Sequence, residues 1–498
     1  MTQSMIAGRD TPPVPYTFDG LLINGKWCTG NAGSVLEVNN PYSHERLAEI
    51  HEANLGDVDR AYQAARAAQV QWQQSLPGER AAVLRKAVEV LDARHGEVVD
   101  WLIRESGSTR MKAEMEWGAA RAIILDASTL PSQAQGRIIA GDIPGKENRI
   151  YRNPVGVVAV ISPWNWPLHL TCRTLAPALA LGNAVVVKPA SETPITGGLL
   201  IARILEEAGL PAGVLNVLVG DPAVIGDGFV QHPVPRVVSF TGSLAVGRRI
   251  AGQIANSPRL KKMMLELGGN APLVVLEDAD LELAVHAAVV SKFLHQGQIC
   301  VIANRILVHE KLHDAFVEQY VERVRELKVG NPNDPDTVIG PLISQKQLHH
   351  VQRSIAAANA EGARQRLGGA AQGLVVPPHV FDRITPQMGL GRSELFGPVA
   401  PVLSFASDAQ ALHMANDTEF GLSSAVFARD VSRAERFAAG LQTGMTHIND
   451  ITAVDLPNMP FGGEKNSGLG RFGSEGLIHE LTTEHWMSVQ HTPRQYPF

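Results

Sequence analysis

The 498 residues are 45% apolar and 19% charged, with a net charge of −6 and no basic block; this length exceeds one ordinary core and predicts two or three domains, with nucleic acid an unlikely partner. Three cysteines, Cys28, Cys172 and Cys300, make neither a disulfide framework nor a zinc spacing, so no metal site is expected. No stretch approaches the roughly 18 apolar residues of a membrane span, and residues 1–15 hold no signal-like run, so cytoplasm is the expected location and no membrane partner is expected.

Thr11-Pro12-Pro13-Val14-Pro15 reads as an extended arm. Residues 21–27 read as a strand and turn, with Asn24-Gly25 as the turn. Asp57 is expected to cap a helix through about residue 74. Pro77 is expected to open another through about 106, with Val83, Leu84, Ala87, Val88 and Leu91 on one face. A third helix is expected over 111–130. From Val155 the texture becomes strand–loop–helix alternation. Short apolar runs lie at 155–161, 184–188, 214–218 and 236–240, and a helix over 196–208 ends at Gly209. This pattern predicts a parallel sheet with crossover helices. The alternation restarts after Gly269, with strands at 273–276 and 305–308 and helices over 281–294 and 312–327, so a domain boundary is expected near Gly268-Gly269. Further strands are expected at 148–152, 399–405 and 482–490.

Cys300 falls between the 281–294 helix and the 305–308 strand, with Gly297 freeing the backbone just before it. A thiol at such a junction can face a cleft, although most lone cysteines are small buried hydrophobes. Thr241-Gly242-Ser243 follows a strand and opens a helix, which suits a diphosphate on free N–H groups. It is neither G-x-G-x-x-G, since Gly242 and Gly247 are five apart, nor a nucleoside-triphosphate loop. Lys188 ends a predicted parallel strand, where α/β sheets bind ligands. It could meet a ribose hydroxyl or simply be a solvated surface lysine.

Ser162-Pro163-Trp164-Asn165-Trp166-Pro167, Leu265-Glu266-Leu267-Gly268-Gly269-Asn270, Gly297-Gln298-Ile299-Cys300, Glu394-Leu395-Phe396-Gly397-Pro398 and Pro460-Phe461-Gly462-Gly463 occur in that order. With these motifs the chain resembles the NAD(P)-dependent aldehyde dehydrogenase superfamily from about Leu22 to the C-terminus. The resemblance implies an α/β fold with two parallel-sheet Rossmann-like domains and a small β oligomerisation excursion. Residues 1–135 and 157–268 would bind the dinucleotide, 269–475 would form the catalytic domain, and 136–156 with 476–498 would supply oligomerisation strands of a homodimer or homotetramer.

The same resemblance implies the chemistry. Cys300 would add to the aldehyde carbonyl, with the Asn165 amide and the Cys300 N–H as donors to the oxyanion. Glu266 would activate water against the thioester, favouring a free acid over a coenzyme A ester. Its leucine neighbours would raise its pKa. Ser162, Trp164, Lys188, Ser191, Gly242, Ser243, Gly247, Leu267, Glu394 and Phe396 would hold the cofactor, Glu394 on the nicotinamide-side ribose and Phe396 near the nicotinamide. Strict NAD users often carry a glutamate where Ser191 stands, so both NAD and NADP are expected to serve, unless the adjacent Glu192 swings in.

Trp166, Leu170, Leu294, Ile299 and Val301 would line an apolar substrate tunnel, and whether Arg173 reaches its mouth stays open. Residues 293–300 and 494–498 look like the benzaldehyde and vanillin branch. An aromatic aldehyde is therefore expected, with a medium-chain or terpenoid aliphatic aldehyde as the alternative. A catalytically silent relative and a thiol esterase are the alternatives from other classes.

Overall fold

The computed structural model describes residues 14–498, so Thr11, Pro12 and Pro13 of the expected arm lie outside the described residues. Within them, two large sheets carry the fold. The first has eight strands, in the order Lys26–Cys28, Leu21–Ile23, Leu215–Val217, Ala184–Lys188, Val157–Ile161, Val237–Thr241, Lys262–Glu266 and Gly468–Leu469. The five from Leu215–Val217 to Lys262–Glu266 are parallel. Ala184–Lys188 is buried along its whole length, as a strand covered on both faces must be.

The second sheet has seven strands, in the order Arg364–Leu367, His379–Asp382, Val399–Phe405, Ala303–His309, Ala271–Val275, Ser423–Phe427 and Met445–Ile448. All but the first pair are parallel. Its side chains alternate between two cores: Val274, Leu307 and Val426 enter one, while Leu273, Val275, Ile306 and Val308 enter the other. That is the period of two of a pleated strand. The chain passes from the first sheet at Glu266 to the second at Ala271.

Several expectations change in detail. The first helix, Leu55–Trp72, is capped by Asn54 and not by Asp57. Asp57 is instead the third helical residue, and its carboxylate accepts from Asn54 N at 3.0 Å while Asn54 Oδ1 accepts from Asp57 N at 3.0 Å. The single helix expected from Pro77 is two, Pro77–Ala93 and His95–Ser106. The break falls at Arg94, whose guanidinium pairs with Glu97 and Glu207 and covers the Tyr16 ring. The helix expected over 196–208 opens as a π-turn, Ile195–Leu199. Its first N–H groups, of Ile195 and Thr196, donate to the buried Glu105 carboxylate at 2.8 and 2.7 Å.

The C-terminal part does not respect the expected partition. Gly468–Leu469 pairs antiparallel with Leu265 and Glu266, completing the first sheet. The helix Ser474–Leu481 follows, and its Leu477, Ile478 and Leu481 join the first core. Residues 476–481 are therefore helical, and the strand begins at Thr482. From there Thr482–Gln490 pairs antiparallel with Lys146–Pro154, and Arg137–Ile139 pairs with the other edge of that strand. This third sheet leaves Ile138, Tyr151, Trp486 and Met487 exposed. No helix among the described residues is long and apolar enough to cross a membrane.

Candidate active site

The five parallel strands of the first sheet spread from Val157–Ile161, two to one side and two to the other. Their order reverses between Val157–Ile161 and Val237–Thr241. A crevice forms at the carboxyl ends of strands at such a point. Here it is a cleft of about 750 Å³. Ser162, Trp164, Asn165, Leu170, Lys188, Ser191, Gly242, Ser243, Glu266 and Leu267 line it from the first sheet's side, and Cys300, Glu394 and Phe396 from the second.

Cys300 is delivered by a strained loop. His295, Gln296 and Gly297 have φ of 50°, 55° and 73°. A non-glycine residue held there costs about 1–3 kcal/mol, so the surroundings must impose it. Gln296 Nε2 donates to Pro341 O at 2.9 Å, Gln298 Oε1 accepts from Ile343 N at 3.2 Å, and Gln298 O accepts from Asn165 Nδ2 at 2.9 Å. The last bond ties the asparagine to the cysteine loop and leaves its second amide hydrogen for another acceptor. Gly269 passes beneath the loop so closely that a Cβ there would lie 2.2 Å from Cys300 O.

The charges near the thiol are few and buried. Glu266, 1% exposed, ends its strand beside Cys300. Burial pushes the Glu266 carboxyl up, opposed by Arg173. Burial and then the charge of Glu266 push the Cys300 thiol well up. In this arrangement the thiol is held protonated beside the Glu266 carboxyl.

Asn165 is held from behind. Lys112, on the helix Arg110–Ala127, is fully buried; its Nζ donates to Asn165 O at 2.8 Å and to Ser108 Oγ at 2.9 Å, and it pairs with Glu116. Glu116 Oε1 accepts from Leu168 N at 2.9 Å and His169 N at 3.2 Å, in the first turn of the helix Pro167–Ala180. One buried ion pair thus fixes both the Asn165 carbonyl and the start of the following helix.

The remaining lining suits a dinucleotide. Lys188 is 4% exposed, not a solvated surface lysine; burial pushes it down to about 8, and among the described residues its side chain makes one hydrogen bond, a long 3.4 Å to Pro189 O. Its donors are thus available to a ligand hydroxyl. Ser243 precedes the helix Leu244–Ala255 without a side-chain capping bond, and Gly242, Ser243 and Val246 line the cleft at this helix start, where free N–H groups suit an anion. Trp164 and Phe396 meet edge-on, 5.4 Å between centroids, across the two sheets, and Phe396 has φ of 46°. Glu394 accepts from Gly269 N at 2.9 Å; burial pushes its carboxyl up to about 7, with the neighbouring Glu266 adding to the rise. Among the described residues no group of three or more His, Cys, Asp or Glu could hold a metal ion.

Some expected residues fall outside this cleft. Gly247 lies within the helix after Ser243, where a Cβ would meet Leu267 Cδ2 at 2.5 Å; it lets helix and strand end close together. Leu294, Ile299 and Val301 are 5%, 6% and 6% exposed and belong to the first core, with Trp166 packed against it; of the five tunnel positions only Leu170 lines the cleft. Sequence reasoning missed Lys112 and Glu116, which carry only an (i, i+4) spacing, and Asp455, which no motif marks. Arg173, whose reach was open, is 3% exposed with Nη2 3.6 Å from Glu266 Oε2.

Comparison with known proteins shows the family. The aldehyde dehydrogenase family model matches residues 27–487. A vanillin dehydrogenase of Corynebacterium glutamicum is 47% identical over 479 residues, covering 95% of this chain and 99% of the relative. A benzaldehyde dehydrogenase of Bacillus subtilis is 48% identical over 477 residues, 96% of this chain and 98% of the relative. The crystal structure of an NAD-dependent benzaldehyde dehydrogenase from Corynebacterium glutamicum superposes with a TM-score of 0.89 at 44% identity, over 97% of this chain and 100% of that one. With its two largely parallel sheets, its cleft and its cysteine loop, this chain is a member of the aldehyde dehydrogenase family.

Proposed function

We propose that the protein oxidises an aromatic aldehyde of the benzaldehyde or vanillin type to its carboxylic acid, using NAD and, less selectively than a strict NAD enzyme, NADP. The observation that carries the reaction is the convergence of Cys300, Glu266 and Asn165 on one cleft. The ring-bearing substrate rests on the near-full-length identity to vanillin and benzaldehyde dehydrogenases.

Cys300 loses its proton to water in the cleft as its sulfur adds to the carbonyl carbon. The free Asn165 amide hydrogen and the Cys300 N–H hold the resulting oxyanion. When bound, the dinucleotide supplies the acceptor for the hydride, and its fit rests on the buried, under-used Lys188 and the open helix start at Ser243. Loss of hydride leaves a thioester on Cys300. Glu266 takes a proton from water as the water oxygen attacks the thioester carbon, and passes that proton to the departing sulfur, releasing the acid and the free thiol. Lys112 and Glu116 act only by holding Asn165 and its helix.

We also assign residues 157–268 with the preceding helices to cofactor binding and 269–467 to delivery of the thiol. The exposed apolar side chains on the third sheet support its pairing with a second copy, giving a homodimer or a dimer of dimers. Three free cysteines suit a reducing compartment and support a cytoplasmic enzyme. The test is a panel of aldehydes with each dinucleotide. Benzaldehyde and vanillin should exceed medium-chain and terpenoid aldehydes in kcat/KM by about tenfold or more. A preference of that size for the aliphatic aldehydes contradicts the substrate reading.

A further inference from the structure

Arg173 lies on the helix Pro167–Ala180, eight residues after Asn165. Its guanidinium is stacked between the rings of Phe461 and Phe472, 4.3 and 4.4 Å from their centroids. Nη1 donates to Asp455 Oδ2 at 3.1 Å, and Nη2 stands 3.6 Å from Glu266 Oε2. Among the described residues, Arg173 Nε and Nη2 and Glu266 Oε1 find no hydrogen-bond partner. A buried charge so incompletely paired is costly. Two aromatic faces and Asp455 hold this one in place, aimed at the carboxylate. One cation is therefore divided between two carboxylates: Asp455 takes its hydrogen bond and Glu266 a through-space contact.

We propose that Arg173 is a positioning residue that keeps Glu266 anionic and aimed into the cleft, and that Asp455 sets how much of the guanidinium charge Glu266 receives. This rests on the reading of Glu266 as the base that hydrolyses the thioester. The groups facing Glu266 are Arg173 from its helix, Cys300 from its loop, Glu394 from the segment before Val399–Phe405, and Asp455 from the segment after Met445–Ile448. Around the pair itself, His169 Nε2 lies 3.5 Å from Asp455 Oδ2, and Asp126 lines the small cavity behind it. Burial pushes His169 down to about 4, so it adds no charge near neutral pH.

The signs follow. Arg173 is the charge that opposes the upward push of burial on Glu266. Without it the anionic base forms only at higher pH, and the acid limb of thioester hydrolysis moves up. Without the Asp455 charge, Arg173 turns fully to Glu266 and the limb moves down.

The experiment measures thioester hydrolysis on Cys300 against pH by rapid mixing and intact mass, with the first-turnover burst of reduced dinucleotide recorded alongside. Arg173→Met should keep the burst amplitude, lower hydrolysis at neutral pH by about tenfold or more, and raise the limb by about one pH unit or more. Arg173→Lys should restore most of that shift. Asp455→Asn should move the limb the other way. Equal loss of burst and hydrolysis at every pH with an unmoved limb overturns the proposal, as does an upward shift in Asp455→Asn. If Arg173→Met does not fold, the direction of the Asp455→Asn shift decides alone. Glu266→Gln separates the two readings. If it hydrolyses the thioester at the wild-type rate, Glu266 is not the base. If it stalls while Arg173→Met leaves the limb in place, only the role of Arg173 fails.

Discussion

The cleft is built to two different standards. Around Cys300, Glu266 and Asn165 the protein is buried and over-determined: a run of left-handed residues, a backbone passing in contact, and a buried ion pair behind the asparagine. Lys188 ends a strand three strand spacings from the one bearing Glu266, about 14 Å across the sheet. Around it, Ser191 is half-buried, and Glu192, Ser243 and Arg249 are exposed. The first region places reacting atoms, where a displacement of an ångström is costly. On the proposed reading the second would hold the dinucleotide by many separable contacts. Changes in the first should therefore abolish turnover and spare cofactor binding, whereas changes in the second should redistribute cofactor preference and spare the chemistry.

The largest expected effect is that of Cys300→Ala. It should lower oxidation by at least about a thousandfold while the dinucleotide dissociation constant moves by no more than about twofold. Fluorescence titration and steady-state assay together check this, and weakened cofactor binding of the same size would erase the contrast between the regions. Asn165→Ala comes next, with kcat down by about a hundredfold to a thousandfold. Ser191→Glu addresses the exposed region. Its carboxylate should cut kcat/KM with NADP by about tenfold and leave NAD within about twofold. If the unaltered protein already excludes NADP a thousandfold, Ser191 is not the determinant and Glu192 becomes the first residue to substitute.

Smaller effects sharpen the picture. The thiol is held protonated by burial and by the Glu266 charge. Its alkylation by iodoacetamide should be slow at neutral pH and rise through the alkaline range. Removing the negative neighbour in Glu266→Gln lowers the thiol pKa and should speed neutral alkylation severalfold. An unchanged or slower rate contradicts the electrostatic coupling. The smallest effect on chemistry belongs to Trp486→Asp, on the strand Thr482–Gln490, which should dissociate the oligomer by light scattering with turnover per subunit little altered. A wild-type monomer at micromolar concentration defeats that expectation.

Local signals explain what the sequence disclosed. Strands such as Ala184–Lys188, Val399–Phe405 and Thr482–Gln490 begin and end where composition placed them. Continuous valine runs and flanking turns are sufficient marks for buried parallel strands. The cleft residues were legible through short motifs, since Gly269 and Gly297 are demanded by close approach and by φ, which leave fixed letters in the chain. What escaped were contacts between distant segments. Nothing near Arg173 in the chain announces Asp455, Phe461 or Phe472, which meet it only after the chain returns to the first core. The return of Gly468–Leu469 to that sheet was hidden for the same reason, because a two-residue strand has no periodicity. The helix break at Arg94 depends on Glu207, more than a hundred residues away.

On the proposed mechanism one cysteine carries the acyl group and one glutamate releases it. Intact-mass analysis of Glu266→Gln, quenched after mixing with NAD and benzaldehyde, tests this most directly. The expected result is a rapid burst of reduced dinucleotide, slow turnover, and a benzoyl adduct located on Cys300. Equal loss of burst and turnover with no adduct, or an adduct on any other residue, contradicts it.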